Sequence, residues 1–362
     1  MNPYLYLVIA AILTASIMYG KKRNIQLSIL CWLMVAIAIS GLRGNFTADA
    51  NNYRNIFYQY SLMEWSQIKE IFSWDYNINV METGYALLNF LVSRFTTNYL
   101  WMQVITSIIT IVPIFILIRK SPYIFLSISL YMGIGTYLEG FNTVRNIMAA
   151  SLAVFTIKYI RERKLFRYCI VVFLISSIHF SALILLPMYF ILNFKPRIKT
   201  ILLYAIALLI GVKFIEELAN LYNYYFKFSA TDQRTLELLY RNQAEFRGIG
   251  IAVLLVCITL GCYLVYYMKN KNEKSNINAD PIFFNGVLIW GILKIAMLYS
   301  GYATRFAAYF SFYIYLFLPY VLKKMNIKEK NKKVIALIIS SLCLWAFLTS
   351  SKAYGIYYSI FI

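Results

Sequence analysis

Charged side chains are scarce in this chain: they make up 14% of its 362 residues, with 15 acids against 35 bases. Histidine is scarcer still, since His179 is its one occurrence. The sequence also lacks a P-loop, a zinc motif, a Gly-x-Ser-x-Gly elbow and a DxD-type metal site. These absences argue against the chemistry that each motif supports. They favour a mechanism that uses neither a metal nor a cofactor.

Cysteine provides no framework either. The five cysteines, at positions 31, 169, 257, 262 and 343, all fall inside apolar segments. With one histidine in the chain they have no metal-ligand spacing, so we interpret them as small packing residues. The longest polar-rich stretches, 41–81 and 216–247, are too short to predict a soluble domain.

Long apolar stretches dominate the chain instead. Hydrophobic residues make up 61% of it and the mean hydropathy is +0.63, well above the usage of soluble domains. The sequence therefore predicts an all-α integral membrane protein with one polytopic domain over 1–362. Its outer-face loops are expected at about 42–98 and 216–247. Because no basic segment or cleavage site marks the start, we expect the first span to be retained as an anchor.

The predicted helical bundle has about 11–12 spans, including one broken or re-entrant pair. They cover residues 3–19, 25–41, 99–118, 122–138, 143–160, the pair 166–178 and 180–194, then 200–215, 248–268, 282–300, 304–322 and 334–350. Basic clusters fall in alternate loops, and the remaining loops hold nearly as many acids as bases. This is the positive-inside pattern, and every loop satisfies it when both termini are placed outside. The net charge of +20 therefore reflects topology and does not indicate a nucleic-acid partner.

His179 lies in the broken pair. Basic clusters at 161–164 and 195–199 flank the apolar stretch 166–194, so both flanks are expected in the cytoplasm. Each arm then has only about 13 residues, too few for a crossing of ~20. The chain must turn back near His179, and the turn must pack in protein or line a wet cavity. An ionisable side chain at such a tip indicates a functional site reached from the outer face.

The residues 82–95 form a second segment that is too short to span. Treating them as a span would put Arg119 and Lys120 outside, against the charge pattern. We therefore expect an interfacial or re-entrant helix there.

Three arginines lie close to the outer boundary, against the positive-inside preference: Arg43, Arg145 and Arg305. A guanidinium matches phosphate oxygens with two parallel hydrogen bonds, so converging arginines suit a pyrophosphate. The alternative is that each side chain snorkels to lipid headgroups.

Several outer-face residues suit sugar hydroxyls or a general base. Asp49 and Tyr53 lie together in one loop, although Asp49 could equally cap a helix. Glu82 could contact sugar or simply begin a helix. Glu139 could do the same, with an ion pair to Arg145 as the default interpretation.

His179 could be a general base or a donor to phosphate, or a buried histidine bonded to a carbonyl. Lys294 lies inside a span and could pair with an acid or a phosphate, or snorkel.

Short motifs follow one another in order over about 43–305. They are Gly41-Leu42-Arg43-Gly44 with Asp49 and Tyr53, Glu82-Thr83-Gly84-Tyr85, Arg145-Asn146-Ile147-Met148-Ala149, Ile178-His179-Phe180-Ser181-Ala182-Leu183, and Tyr302 to Arg305. In this order and spacing the chain resembles the EpsG/Wzy group of bacterial polysaccharide polymerases.

The resemblance implies a GT-C-like membrane glycosyltransferase in the bacterial plasma membrane with its site facing outward. Such an enzyme joins oligosaccharide repeat units carried on undecaprenyl pyrophosphate into O-antigen or capsule. Its partners would be those lipid-linked glycans, the bilayer, a flippase and a chain-length regulator. The resemblance assigns His179, Arg145, Arg43 and Asp49 to catalysis. It assigns substrate contacts to a second set: Arg305, Glu82, Glu139, Tyr53 and Tyr302.

Three other functions remain open from the residues alone. A flippase or transporter would also be polytopic with broken helices, but no internal repeat is evident and polar residues favour one face. A membrane O-acyltransferase would use a histidine in an apolar setting. An O-antigen ligase would share the chemistry and differ in its acceptor.

Overall fold

A computed structural model describes residues 25–44, 47, 49–72, 81–194, 206, 281–296 and 301–353. The regular secondary structure in this part of the chain is helical, as the composition predicts. The α-helices are α1 (Ile25–Gly41), α2 (Ala50–Leu62), α3 (Thr83–Ser93), α4 (Tyr99–Ile118), α5 (Ile124–Gly133), α6 (Thr136–Asn142), α7 (Val144–Leu152), α8 (Thr156–Arg161), α9 (Leu165–Ser176), α10 (Leu185–Ile191), α11 (Pro281–Ala296), α12 (Gly301–Lys324) and α13 (Glu329–Ala353). Tighter 3₁₀ turns cover Trp65–Phe72, Ala153–Phe155 and Phe180–Ile184.

Three of the described helices are long and apolar enough to cross a membrane. They are Tyr99–Ile118, Thr304–Lys324 and Glu329–Ser350. Helices α5 and α6 make a fourth candidate if they count as one span bent by 42°. The described part of the chain is therefore that of a helical, multi-pass membrane protein.

The predicted span 122–138 needs correction, because it is not one continuous helix. It breaks between α5 and α6, where Gly135 takes a left-handed backbone conformation with φ of 95°. Glycine adopts this region without steric cost, whereas other residues do so rarely. The second half then runs on to Asn142, beyond the predicted end.

Apart from the three long helices, the other predicted spans correspond to shorter helices or lie outside the described residues. Those at 25–41 and 282–300 correspond to the shorter apolar helices α1 and α11. The prediction at 143–160 corresponds to α7, a 3₁₀ turn and α8 in series. Predicted spans 3–19, 200–215 and 248–268, and the loop 216–247, lie outside the described residues apart from Ile206. The total of about twelve crossings remains a prediction.

The segment around His179 turns back on itself. Helix α9 ends at Ser176, His179 is extended, and the chain resumes as a 3₁₀ turn and then α10. The rings of Tyr168 and Tyr189 lie 5.2 Å apart, although a straight helix would separate these residues by ~30 Å. The Tyr168 hydroxyl also donates to the Leu185 carbonyl. The two arms therefore form a tight hairpin with His179 at its tip.

Helix α3 has 11 residues, which correspond to ~16 Å and cannot cross a bilayer. It forms a second, smaller core with α2, in which Tyr53 and Tyr85 pack edge to face with ring centroids 6.0 Å apart. The sequence predicted a short non-spanning helix here. The structure has one, and its first turn reaches the tip of the hairpin.

Close helix contacts rest on small residues, as in other membrane bundles. A Cβ on Gly286 of α11 would overlap the Tyr313 ring of α12, and one on Gly133 of α5 would overlap Cys343 of α13. Near the C-terminal end of α1, the Ser40 and Ser107 hydroxyls share a hydrogen bond of 2.8 Å. These contacts hold the helices that carry the polar residues.

Candidate functional site

Residues from three parts of the chain meet at the tip of the hairpin. Glu82 precedes α3, Arg145 lies in the first turn of α7, and His179 is the extended residue between the two arms. Their side chains are largely but not wholly buried, with exposed fractions of 21%, 22% and 13%. The cluster is thus reachable while being mostly withdrawn from solvent.

Glu82 holds the cluster together with both carboxylate oxygens. Its Oε1 lies 2.7 Å from Nδ1 of His179 and accepts from the backbone N–H of Phe180 at 3.2 Å. Its Oε2 pairs with the Arg145 guanidinium. One carboxylate therefore fixes the histidine, the backbone of the hairpin tip and the arginine.

The environment keeps the Glu82 carboxyl ionised. Burial alone would raise its pKa, but the hydrogen bond from His179 and the positive charge of Arg145 act against it. Together they lower the pKa of Glu82 from 4.5 to about 2. An ionised carboxylate can only accept hydrogen bonds. Hence the proton in the pair lies on Nδ1 of His179.

This assignment decides what His179 can do. In a neutral imidazole with its proton on Nδ1, Nε2 has a free lone pair and can accept a proton. The resulting imidazolium would be stabilised by the carboxylate behind it. A carboxylate that orients a histidine in this way is the arrangement of a general base.

Gly84 lets α3 approach the hairpin. Its backbone N–H donates to the Ser177 carbonyl at 2.7 Å. A Cβ on Gly84 would lie 2.9 Å from both the carbonyl carbon and oxygen of Ser177. Real Cβ atoms essentially never come so close to backbone, so the position requires glycine. The Glu82-Thr83-Gly84 sequence thus contacts the His179 turn in two ways, through the Glu82 carboxylate and through the Gly84 N–H.

Two tyrosines of the second core line the other side of Arg145. The guanidinium lies 6.0 Å from the centre of the Tyr85 ring, at the limit of a cation–π contact. The Tyr53 side chain is adjacent to both. Among the described residues, the buried Nε–H of Arg145 has no hydrogen-bond acceptor. The Arg145 side chain as a whole is 22% exposed, and a guanidinium is suited to an anionic oxygen ligand.

No group of three or more His, Cys, Asp or Glu side chains in the described ranges could hold a metal ion.

Comparison with protein-family models gives one match, to the EpsG family, over residues 24–361. The chain belongs to the EpsG family. No curated protein and no solved structure matches it significantly. Membership points to a polysaccharide-polymerase type of role in a multi-pass membrane protein.

In this EpsG-family chain Arg43 is buried within the protein, whereas a residue that snorkels to lipid headgroups would be exposed. Its exposed fraction is 3%, it donates to the Ser40 carbonyl, and it lies over the Phe141 ring at 5.4 Å. The snorkelling alternative is therefore wrong for Arg43. Its described packing ties the end of α1 to the end of α6.

Asp49 is the residue before α2, but its side chain makes no capping hydrogen bond to that helix. Its backbone N–H donates to Oδ1 of Asn142 at 3.1 Å, and Thr47 donates to the Phe141 carbonyl at 3.2 Å. The loop that contains Asp49 is thus fastened to the end of α6, immediately before the helix of Arg145.

Glu139 has a different partner from the expected one. It pairs with Lys294 of α11 at 3.4 Å, whereas Arg145 pairs with Glu82. The default ion pair between Glu139 and Arg145 is therefore wrong. Two helices that begin after a break, α6 and α7, point the two side chains to different neighbours. The same contact shows that Lys294 pairs with an acid.

Arg305 and Tyr302 lie in the first turns of α12. The Arg305 carbonyl accepts from Nδ2 of Asn146 at 3.3 Å, which places the start of α12 beside the start of α7. Arg305 is partly exposed. The late motif is thus close to the motif that contains Arg145.

Three polar residues near His179 were not among the predicted site residues. Ser181 donates to Oδ1 of Asn146 at 3.3 Å and lies 3.0 Å from the Tyr309 hydroxyl. Asn146 and Ser181 occur inside the quoted motifs, so their neighbours already marked them. Tyr309 is one of 32 tyrosines, and nothing in its local sequence distinguishes it.

Proposed function

We propose that this protein polymerises lipid-linked oligosaccharide repeat units on the outer face of the bacterial plasma membrane. One observation carries the proposal. A single ionised carboxylate, Glu82, orients a histidine and an arginine at the tip of a hairpin between basic flanks. This arrangement offers a base for an acceptor hydroxyl beside a cation for a phosphate leaving group. EpsG family membership supports the choice of a polysaccharide substrate.

In the proposed reaction, Nε2 of His179 takes the proton of the acceptor sugar hydroxyl. The oxygen then attacks the anomeric carbon of the growing chain, and the bond from that carbon to the lipid pyrophosphate breaks. The electron pair leaves with the pyrophosphate, and the proton passes from His179 to solvent. Glu82 stabilises the imidazolium in between. Positioned bases of this kind contribute about 10²–10⁴-fold to rate.

The leaving group develops negative charge, and stabilising that charge is usually the largest catalytic contribution. We assign this task to Arg145, whose Nη1 pairs with Glu82 and whose side chain remains 22% exposed. Arg305 lies near the same helix end and is a second candidate. We assign Arg43 a supporting role, because it is buried against Phe141. Tyr53, Tyr302 and Glu139 remain proposed substrate contacts, and Asp49 remains a proposed catalytic residue.

The proposal includes the finer architecture that the sequence predicts. This is a single membrane domain of about twelve crossings with both termini outside, GT-C-like, and with the hairpin tip facing outward. The substrates would be glycans on undecaprenyl pyrophosphate. A flippase would deliver them and a chain-length regulator would act on the product.

A surface-polysaccharide gel of a deletion strain tests the function. We expect the long-chain ladder to collapse to a single repeat unit and to return with the wild-type gene. Glu82→Gln, His179→Ala and Arg145→Ala should each fail to restore it while reaching wild-type membrane levels. The matched controls Glu162→Gln and Arg167→Ala change exposed residues on the basic side and should restore the ladder.

A deletion strain with an unchanged ladder would remove the polymerase proposal. In that case acylation of the polysaccharide and accumulation of lipid-linked units on the inner leaflet are the next properties to measure. Normal chain lengths from all three site variants would leave a polymerase but remove the proposed site.

A further inference from the structure

Three hydrogen bonds join four groups beside His179, and the backbone of α12 completes them into a ring through three elements. Ser181, at the hairpin tip, donates to Oδ1 of Asn146 in α7. The amide nitrogen of Asn146 donates to the Arg305 carbonyl in α12. One turn later in α12, the Tyr309 hydroxyl meets the Ser181 hydroxyl at 3.0 Å. The ring therefore begins and ends on the same helix.

The proton count fixes the direction of each bond. A serine hydroxyl has one proton, and that of Ser181 goes to Asn146. The Tyr309 hydroxyl must then be the donor to Ser181. Tyr309 has an exposed fraction of 0%, and Asn146 has 5%. Losing one bond of a buried network leaves another polar group unsatisfied, so the ring resists opening.

The ring holds the side of the hairpin tip that Glu82 does not hold. On one side, Glu82 and the Gly84 N–H contact His179, Phe180 and Ser177. On the other side, the side-chain contacts of Ser181 reach α7 and α12. His179 itself has extended backbone, with φ of −154° and ψ of 120°. Its N–H donates to the Ile175 carbonyl at the end of α9, so the backbone is held there and the side contacts act on the direction of the imidazole.

We propose that Tyr309 is a positioning residue that fixes Nε2 of His179 through Ser181 and so sets the rate of glycosyl transfer. The inference rests on the proposed polymerase function. Tyr309 does not touch the substrate in this assignment. It determines where the base points, and a base displaced by 1 Å can cost about a hundredfold in rate.

The test measures polymerisation by the full-length protein in proteoliposomes, with lipid-linked repeat units from a polymerase-deficient strain. Tyr309→Phe keeps the aromatic side chain and removes its hydroxyl. We expect kcat to fall between about tenfold and about a hundredfold with KM nearly unchanged. The acid limb of the pH–rate profile should stay in place, because the Glu82 contact to His179 is retained. Tyr131→Phe, a change at an equally buried tyrosine, should keep the wild-type rate.

A second residue separates positioning from misfolding. Ser181→Ala should lower kcat as Tyr309→Phe does, while Ser181→Thr keeps the hydroxyl and should retain most of the rate. The double variant Tyr309→Phe with Ser181→Ala should be no slower than Ser181→Ala alone, because both changes open one ring. All variants are compared at equal membrane level and equal elution on gel filtration.

Two results would overturn the inference: a wild-type kcat for Tyr309→Phe, or losses that multiply in the double variant. A failed function gives a different pattern. In that case the wild-type protein forms no polymer in proteoliposomes, and the deletion strain keeps its ladder.

Discussion

At the scale of single residues, the Glu82 carboxylate determines the electrostatics of the site. It is 21% exposed and accepts from His179, Phe180 and Arg145. Three donors on one carboxylate favour its charged form strongly enough to outweigh burial. The site therefore contains a permanent anion at neutral pH.

This anion gives a pH-dependent stability prediction. The pKa of Glu82 is lowered from 4.5 to about 2, so its contribution is present above about pH 4.5. The contribution is lost as pH falls from there towards 2. We compare the Tm of wild type with that of Glu82→Gln in detergent and expect a difference at pH 5. It should shrink below pH 4.5.

Glu162→Gln is the control for that measurement, because Glu162 is exposed on the basic side. Its Tm should follow that of the wild type to within about a degree at every pH. A Tm difference for Glu82→Gln that grows as pH falls below 4.5 would contradict the assigned charge state of Glu82.

At the scale of elements, the contact between α3 and the hairpin is the critical one. Helix α3 is short, yet its first turn donates to the Ser177 carbonyl and presents Glu82 to the tip. The hairpin in turn lacks a spanning helix of its own around His179. Each element therefore depends on the other for its position.

Gly84→Ala tests this dependence. The new methyl group would lie 2.9 Å from backbone atoms of Ser177, so the hairpin tip must shift. We expect the rate of polymerisation to fall by about a hundredfold with the protein still inserted in the membrane. Gel ladders and proteoliposome rates measure it.

Gly140→Ala is the matched control in a neighbouring helix. Its methyl group would meet Ile147 at 3.4 Å, an ordinary contact, so activity should be retained. Equal activities for the two variants would show that α3 does not fix the hairpin.

At the scale of the whole molecule, the predicted orientation places the site opposite the basic clusters. Thr97, in the loop between α3 and α4, and Lys164, between α8 and α9, are exposed and predicted on opposite sides. We expect a membrane-impermeant maleimide to label Thr97→Cys but not Lys164→Cys in intact cells. The native cysteines are replaced first, and permeabilised cells should label at both positions. If only Lys164→Cys were labelled in intact cells, the topology would be the opposite of the predicted one.

Much of the fold could be predicted from local sequence. Apolar length predicted the long helices, and basic flanks around a short apolar stretch predicted the turn at His179. The bend between α5 and α6 was missed, because a glycine in an apolar run does not by itself signal a break. Gly135 shows its left-handed conformation only in the folded chain.

The candidate residues were visible in the sequence, but their pairing was not. Composition and charge pattern determined a multi-pass helical membrane protein with one histidine at a turn, because these features depend on neighbouring residues. The tertiary structure decided that Glu82 meets Arg145 and His179, across 63 and 97 residues of chain. It also decided that Glu139 meets Lys294 and that Tyr309 joins the ring. Such contacts follow from how helices pack, and no local pattern encodes which helices become neighbours.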